Sequence, residues 1–242
     1  MAKPSSKDQG RRAVVEQMRR EQKRKERQRT YAVVAVAVAV ALVIIGLGAY
    51  PLLKQKSANG GSLESLGVPT SQAGCRPVVK KAAQGNNDHK PEGTKVTYAD
   101  APPAFGPHYP VTAPMQRKFY TAQDRPALEY LVHNLEHGYN ILWYDQTVAD
   151  NSDQLATVKA IASKFDGTEL KDKFIAVPWT GEDGKPFPGG AHVALTHWTM
   201  GSDPQGTDQQ GVWEYCAAPS GQAVATFVKD YPYSDSPEPG AM

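Results

Sequence analysis

The sequence predicts an α/β protein with a single N-terminal transmembrane helix, followed by one extracytoplasmic domain with a small mixed sheet. Three observations predict it. A long uncharged apolar run lies near the N-terminus, segments of helical and strand periodicity alternate after it, and both cysteines of the 242-residue chain follow the run.

Residues 1–30 form a basic tail. They contain eleven of the 27 Lys and Arg residues and four acidic ones, a net charge of +7. Because basic residues beside a transmembrane helix stay on the cytoplasmic side, this tail is expected in the cytoplasm, against anionic lipid headgroups. Topology and lipid contact account for its charge, so no nucleic acid partner is expected.

Residues 31–53 are predicted to be the transmembrane helix. Thr30–Leu53 contains no charged residue, and about 20 apolar residues in a helix span a bilayer. The alternating Ala and Val residues also suit a strand, but a lone strand in lipid would leave its backbone unpaired. Because the run is longer than a signal-peptide core and no clear cleavage site closes it, a retained anchor is favoured over a cleaved signal.

The rest of the chain is expected outside the membrane as a linker at 54–73, an α/β domain at 74–231 and a disordered tail at 232–242. From residue 57 onward there are 14 basic and 21 acidic residues, a net charge of −7. This acidic balance also argues against a nucleic acid partner on the outside.

The domain's elements alternate along the chain. In order, we predict a strand at 95–98, a helix at 125–138, a strand at 139–144, a helix at 150–165, strands at 173–179 and 192–198, and a helix at 220–231. The first helix places four apolar residues on one face, and Asp150, Asn151 or Ser152 caps the second. The order resembles that of a thioredoxin-like fold, but without a C-x-x-C motif no thiol redox chemistry follows.

Cys75 and Cys216 are the only cysteines, and both lie in the part expected to be exported. An oxidising compartment favours a single disulfide between them. A pair of copper-binding thiolates is the alternative.

His133 to His137 read HNLEH, which fits the H-x-x-E-H pattern of inverted zinc proteases. In that interpretation both histidines bind zinc, Glu136 is the base and Glu214 is a candidate third ligand. Two features weigh against a zinc-dependent hydrolase: Gly138 ends the helix directly after the second histidine, and the chain lacks further domains to enclose a cavity.

A non-catalytic metal site uses the same histidines differently. His108 lies in the proline-rich loop 101–110, and a rigid loop can bring it to His133 and His137, with Glu136 and Tyr109 in support. Three imidazoles suit copper or zinc, and Met115 or Met200 would favour Cu(I) if close. The alternative is a hydrogen-bonded His–Glu–Tyr cluster that only stabilises the fold.

The segments PPAFGPHYP and LVHNLEHGYNILWY, followed by VALTHW, resemble an actinobacterial family of membrane-anchored proteins known as domain of unknown function 3105. The family's PP-x-x-G-x-H-Y motif falls on Pro102, Pro103, Gly106, His108 and Tyr109. Its V-H-x-L-E-H-G motif falls on Val132, His133, Leu135, Glu136, His137 and Gly138. His197 replaces an expected small residue before the Trp and is not counted as a family site.

The resemblance covers roughly residues 75–230 and implies architecture and location but no established activity. We therefore expect a membrane-anchored domain that binds copper or zinc. A non-catalytic interaction or scaffold module with a protein partner in the cell envelope is the alternative to both the metal-binding domain and the hydrolase.

The topology can be tested with protease added to intact spheroplasts. Because only residues 1–30 are expected inside, the protease should digest the domain and leave the tail protected. Protection of the C-terminal half would contradict the predicted orientation.

Overall fold

In a computed structural model the described residues are 61–203, 205–242 and six isolated positions, 23, 24, 31, 38, 40 and 41. The chain divides into two units, Met1–Gln55 and Lys56–Met242. The six described residues of the first unit are helical. The predicted cytoplasmic tail and transmembrane helix otherwise fall outside the described residues, and within these no helix is long and apolar enough to cross a membrane.

The second unit is built on a five-stranded mixed sheet, as predicted for the fold class. Its strands are β1 (Val79–Ala82), β2 (Asn140–Tyr144), β3 (Phe174–Pro178), β4 (Val193–Thr199) and β5 (Gln210–Cys216). They lie in the order β1-β5-β4-β2-β3. Strands β2 and β3 are parallel, and each other neighbouring pair is antiparallel.

The α-helices described in this unit are α1 (Leu128–Glu136), α2 (Gln146–Asp150), α3 (Ser152–Ala162) and α4 (Gly221–Asp230). Short 3₁₀ helices lie at Leu63–Ser65, Ser163–Phe165, Leu170–Asp172 and Pro188–Gly190. Of the three candidate caps for α3, Asn151 is used: its side chain accepts hydrogen bonds from the N–H groups of Asp153 and Gln154.

Each face of the sheet is covered by a separate apolar cluster. Helix α1 and the proline-rich loop pack on one face, through residues such as Leu131, Trp143 and Trp213. Helices α3 and α4 pack on the other, through residues such as Ile161 and Phe227. Strands covered on both faces are mostly apolar, and β2, β3 and β4 are buried at every residue.

Three strand assignments differ from the sequence-based expectation. Residues 95–98 form no strand, because side chains hold this segment: the Val96 N–H donates to Glu129 and the Tyr98 hydroxyl to the Pro107 carbonyl. Strand β1 was not predicted, since all four of its residues are exposed and give no apolar pattern. Strand β5 was not predicted either, because Gln210, Gly211 and Glu214 interrupt its apolar residues.

The folded unit also extends beyond both predicted boundaries. Within the expected linker, Leu66 and Ala73 are buried, and the Val68 N–H donates to the Pro219 carbonyl. The expected disordered tail is an ordered, turn-rich segment up to Met242. The proline-rich and acidic composition of this segment is typical of disorder. The segment is nevertheless held in place, because its backbone carbonyls accept hydrogen bonds from a buried lysine, Lys173.

The predicted disulfide is confirmed, since the sulfur atoms of Cys75 and Cys216 lie at bonding distance. The bond joins the segment before β1 to the last residue of β5, which also pair through the Arg76 N–H and the Tyr215 carbonyl. No free cysteine occurs in the described part of the chain, so the copper–thiolate alternative is not supported.

Candidate metal centre

Helix α1 places most of the HNLEH pattern in the interior of the domain. Leu131, Val132 and Leu135 of the predicted apolar face are fully buried, and the helix ends in a Schellman motif. In this motif the N–H of Gly138 donates to Leu135 and that of Tyr139 to Asn134. Gly138 has a φ of 92°, a left-handed conformation that suits glycine. The helix therefore stops with Glu136 as its last residue and His137 as its cap.

Aromatic donors fix the proline-rich loop that carries His108. The indole N–H of Trp213 donates to the Pro102 carbonyl at 2.7 Å, and the Tyr98 hydroxyl donates to Pro107 at 2.7 Å. Phe105 packs edge-on against Trp213, where Gly211 leaves the space that a Cβ atom would fill. With carbonyls and side chains held in this way, the loop positions His108 rigidly.

A second loop brings His89 beside His108. The Lys90 N–H donates to the His108 carbonyl at 2.7 Å, and the His108 N–H donates to Asp88 at 3.1 Å. Gly85 permits this approach, because a Cβ atom there would lie 2.7 Å from backbone atoms of Gly106 and Pro107. Sequence reasoning missed His89, which lies in a polar turn without periodicity.

The three segments meet in a cluster of His89, His108, His133 and Glu136. One potential ligand atom from each residue lies within 4.8 Å of all the others. His108 Nε2 is 2.9 Å from Glu136 Oε2, and His133 Nε2 is 3.9 Å from the same oxygen. His108, His133 and Glu136 are buried, whereas His89 is exposed and forms the open side of the cluster.

The contact between His108 and Glu136 lacks a hydrogen when the ring is neutral. His108 Nδ1 lies 2.8 Å from the Gly106 carbonyl, so in a neutral ring Nδ1 donates there and Nε2 carries a lone pair. Neither His108 Nε2 nor Glu136 Oε2 makes an aligned hydrogen bond, although both atoms are buried. Two electron-pair donors thus face each other at 2.9 Å, an arrangement that a shared cation stabilises.

The electrostatics of the cluster favour the protonation states that bind metals. Burial, together with the nearby rings of His137 and His108, lowers the pKa of His133 to about 4. Burial raises the pKa of Glu136, but hydrogen bonds from His108, when Nε2 of that ring carries a proton, and from the Asn87 N–H outweigh it, so the pKa is lowered. A neutral imidazole and an ionised carboxylate are the forms that coordinate metal ions.

The remaining sequence-predicted site residues are not members of this ligand group, although the His137 ring contacts the His133 ring, with centroids 4.3 Å apart. The imidazole of His137 faces Glu238 in the C-terminal segment, with Nε2 at 3.3 Å from Oε2. Tyr109 donates its hydroxyl to the Thr94 carbonyl and not to a histidine. Glu214 is grouped with the two cysteines of the disulfide.

The cluster therefore differs from the predicted one in three ways. His89 takes the place expected for His137, Glu136 is a candidate ligand and not only a supporting residue, and Tyr109 stabilises a neighbouring loop. The H-x-x-E-H pattern does not place its two histidines in one ligand group among the described residues, which argues against the arrangement of an inverted zinc protease.

The metal-free protein is expected to lose stability in acid. Burial lowers the pKa of His133, His137 and His197 below the ordinary 6.5, so the unfolded chain takes up protons that the folded chain does not. The free energy of unfolding should begin to fall as the pH drops through about 6.5, the pKa of an unfolded histidine, and should continue to fall towards pH 4. The contribution of His133 alone is about 3 kcal/mol.

Urea unfolding at pH 7 and pH 5 with EDTA present measures this loss. The variant His133→Gln, which cannot titrate, should lose less free energy between the two pH values than the wild type. Equal losses in the two proteins would contradict the assigned effect of burial on His133.

All four cluster residues lie within a region matched by a known family. Residues 89–242 match the family described as "Protein of unknown function (DUF3105)", and the match begins at His89 and includes the ordered C-terminal segment. No curated protein and no solved structure matches the chain. Since the match covers well over half of the sequence, the chain belongs to the DUF3105 family.

Proposed function

We propose that this domain binds a transition-metal ion, zinc or copper, through His89, His108, His133 and Glu136. The observation that carries the proposal is the buried pair of His108 Nε2 and Glu136 Oε2, 2.9 Å apart and without an aligned hydrogen bond. Burying unpaired polar atoms is costly, and a cation bound between them would offset that cost.

The spacing of the donors is compatible with one ion. Tetrahedral zinc with bonds of about 2.1 Å places its ligand atoms about 3.4 Å apart. The four donors lie within 4.8 Å of one another, so small rotations would close the site. His108 is already oriented as metal-bound histidines are, with its second ring nitrogen on a backbone carbonyl.

The donor set favours zinc or Cu(II) over Cu(I). Three imidazoles and one carboxylate suit the divalent ions, whereas Cu(I) prefers thiolate and thioether sulfur. The cysteines are joined in the disulfide, and the sulfur of Met200 lies beside the side-chain amide of Gln209. Met115 belongs to the apolar core.

A structural role for the same residues is the alternative. If His108 is protonated, Nε2 donates to Glu136 and the two form a buried ion pair that ties the proline-rich loop to α1. The domain would then be an interaction or scaffold module of the cell envelope. Removing one member of a buried ion pair typically costs about 3–5 kcal/mol, which distinguishes this case from a metal site.

A hydrolase has weaker support. The proposed site uses Glu136 as a ligand, which leaves it unavailable as a general base, and His137 is turned towards Glu238. A zinc ion with an accessible water at the exposed His89 side would still be compatible with hydrolysis.

The proposed location follows from the sequence alone. The basic residues 1–30 and the apolar residues 31–53 support a single-pass membrane protein with the metal-binding domain outside the cytoplasm, where an envelope protein could be its partner.

The parallel pair β2 and β3 beside antiparallel β4 and β5 supports a thioredoxin-like arrangement of these strands.

The decisive variant is Glu136→Gln. Its side-chain oxygen can still accept the hydrogen bond from Asn87, and its NH₂ group can donate to the lone pair of His108. We expect this variant to lose affinity for Zn²⁺ and Cu²⁺ by more than about 100-fold. Removing a residue that only hydrogen-bonds to a metal ligand already lowers the metal affinity by about 10–100-fold. Without metal it should be at least as stable as the wild type.

Calorimetric titration of the purified full-length chain and urea unfolding in EDTA measure the two quantities. His108→Ala and His133→Ala should also lose metal binding, whereas His192→Ala, a half-buried histidine paired with Asp145, is the matched control and should retain it. Absent metal binding in the wild type, with Glu136→Gln destabilised by several kcal/mol, would replace the metal site by the structural ion pair. Zinc-dependent peptide cleavage by the wild type would support the hydrolase.

A further inference from the structure

We propose that Glu136, His137 and Glu238 hold a second divalent cation next to the first, with the carboxylate of Glu136 shared by both ions. This inference rests on the proposed function, because the two sites have Glu136 in common. One ligand atom from each of the three residues lies within 4.8 Å of the other two. Two carboxylates and one imidazole are a donor set that binds zinc.

Two residues of this second group carry buried atoms without hydrogen bonds. The side chain of His137 is 9% exposed, with Nε2 3.3 Å from Glu238 Oε2, and its Nδ1 is buried without a hydrogen bond. Glu136 is fully buried, and its Oε2 likewise has no aligned hydrogen bond. Glu238 is about one-third exposed, which leaves a path for an ion to enter.

The C-terminal segment is fixed in a way that places Glu238 at this position. The Nζ atom of Lys173 donates to the carbonyls of His137, Pro239 and Ala241 at 2.6–2.9 Å. The Glu238 N–H donates to the carbonyl of Glu136 at 3.0 Å. Lys173 thus joins the end of α1 to the segment that carries Glu238, and the fold holds this carboxylate over His137.

Gly138 allows the C-terminal segment to pack closely against the end of α1. A Cβ atom at this position would lie 2.4 Å from the Tyr233 carbonyl and 2.8 Å from Ser236 Oγ. Further along, Asp235 accepts hydrogen bonds from the Thr199 hydroxyl with its side chain and from His197 with its carbonyl. The close packing on both sides of Glu238 limits its freedom, so a ligand role costs little additional ordering.

Glu136 has the geometry to serve two ions. Paired metal ions in proteins lie about 3.5–4 Å apart. Glu136 belongs to both ligand groups, and the rings of His133 and His137, one from each group, are in contact. Oε1 of Glu136 accepts the Asn87 N–H at 2.7 Å, and a carboxylate oxygen has a second lone pair for a metal. The two carboxylates also reduce the repulsion between neighbouring cations.

Zinc stoichiometry of the full-length chain tests the second site. We expect two ions per chain in the wild type and one in Glu238→Gln, measured by elemental analysis after removal of free zinc. Glu182→Gln, which changes an exposed glutamate elsewhere, is the matched control and should retain two ions. His137→Gln should also bind one ion per chain. Because His137 lies at the end of α1, this result would show that the loss is not caused by a change limited to the C-terminal segment.

Digestion from the C-terminus gives a second measurement. Zinc should slow carboxypeptidase cleavage of the wild type and have no effect on the cleavage of Glu238→Gln, because only the wild type links the segment to a metal. One ion in the wild type that is unaffected by Glu238→Gln would overturn the second site and leave the proposed function intact. No bound zinc in the wild type would overturn both.

Discussion

The burial of the Glu136 carboxylate is the constraint on which the rest of the site depends. This side chain is fully buried at the last residue of α1, and its pKa lies below the ordinary value. A buried carboxylate must be compensated by donors or cations; here the Asn87 N–H donates to one oxygen of Glu136, and the rings of His108 and His133 face the other. The loops around 87–89 and 106–108 therefore meet at the end of one helix.

The scaffold around this carboxylate is rigid where the chemistry requires it. Trp213 and Tyr98 hold carbonyls of the proline-rich loop, and the backbone pairing of residues 88–90 with His108 fixes one histidine against the other. At the C-terminal end of α1, Lys173 binds the carbonyl of His137 and two carbonyls of the C-terminal segment. Ligands held by such packing and hydrogen bonds need little reorganisation when an ion binds.

Sequence reasoning identified the fold class, the disulfide and the residues of α1 because each leaves a local signal. Periodic apolar residues mark α1, and the two cysteines have a single possible pairing. His89 and β1 leave no such signal, since their positions depend on pairing with distant segments. The C-terminal segment was misjudged for the same reason: its order comes from Lys173 and His197, not from its own composition.

The position of His137 shows what the spacing of the H-x-x-E-H motif predicts and what it does not. Two histidines at i and i+4 share a helix face, and their rings are indeed in contact. Yet α1 ends between them, so His137 is a cap residue whose ring meets the C-terminal segment and not the proline-rich loop. Spacing alone predicted the proximity of the two rings and could not predict the end of the helix or what packs beyond it.

X-ray absorption at the zinc edge tests the central claim most directly, that Glu136 and three histidines surround one ion. Glu238→Gln loaded with one equivalent of zinc isolates this site. We predict a first shell of imidazole nitrogens and one carboxylate oxygen at about 2.0–2.2 Å, with the outer-shell scattering of three imidazole rings. A shell of water oxygens without imidazole scattering, or zinc that does not remain bound, would contradict it.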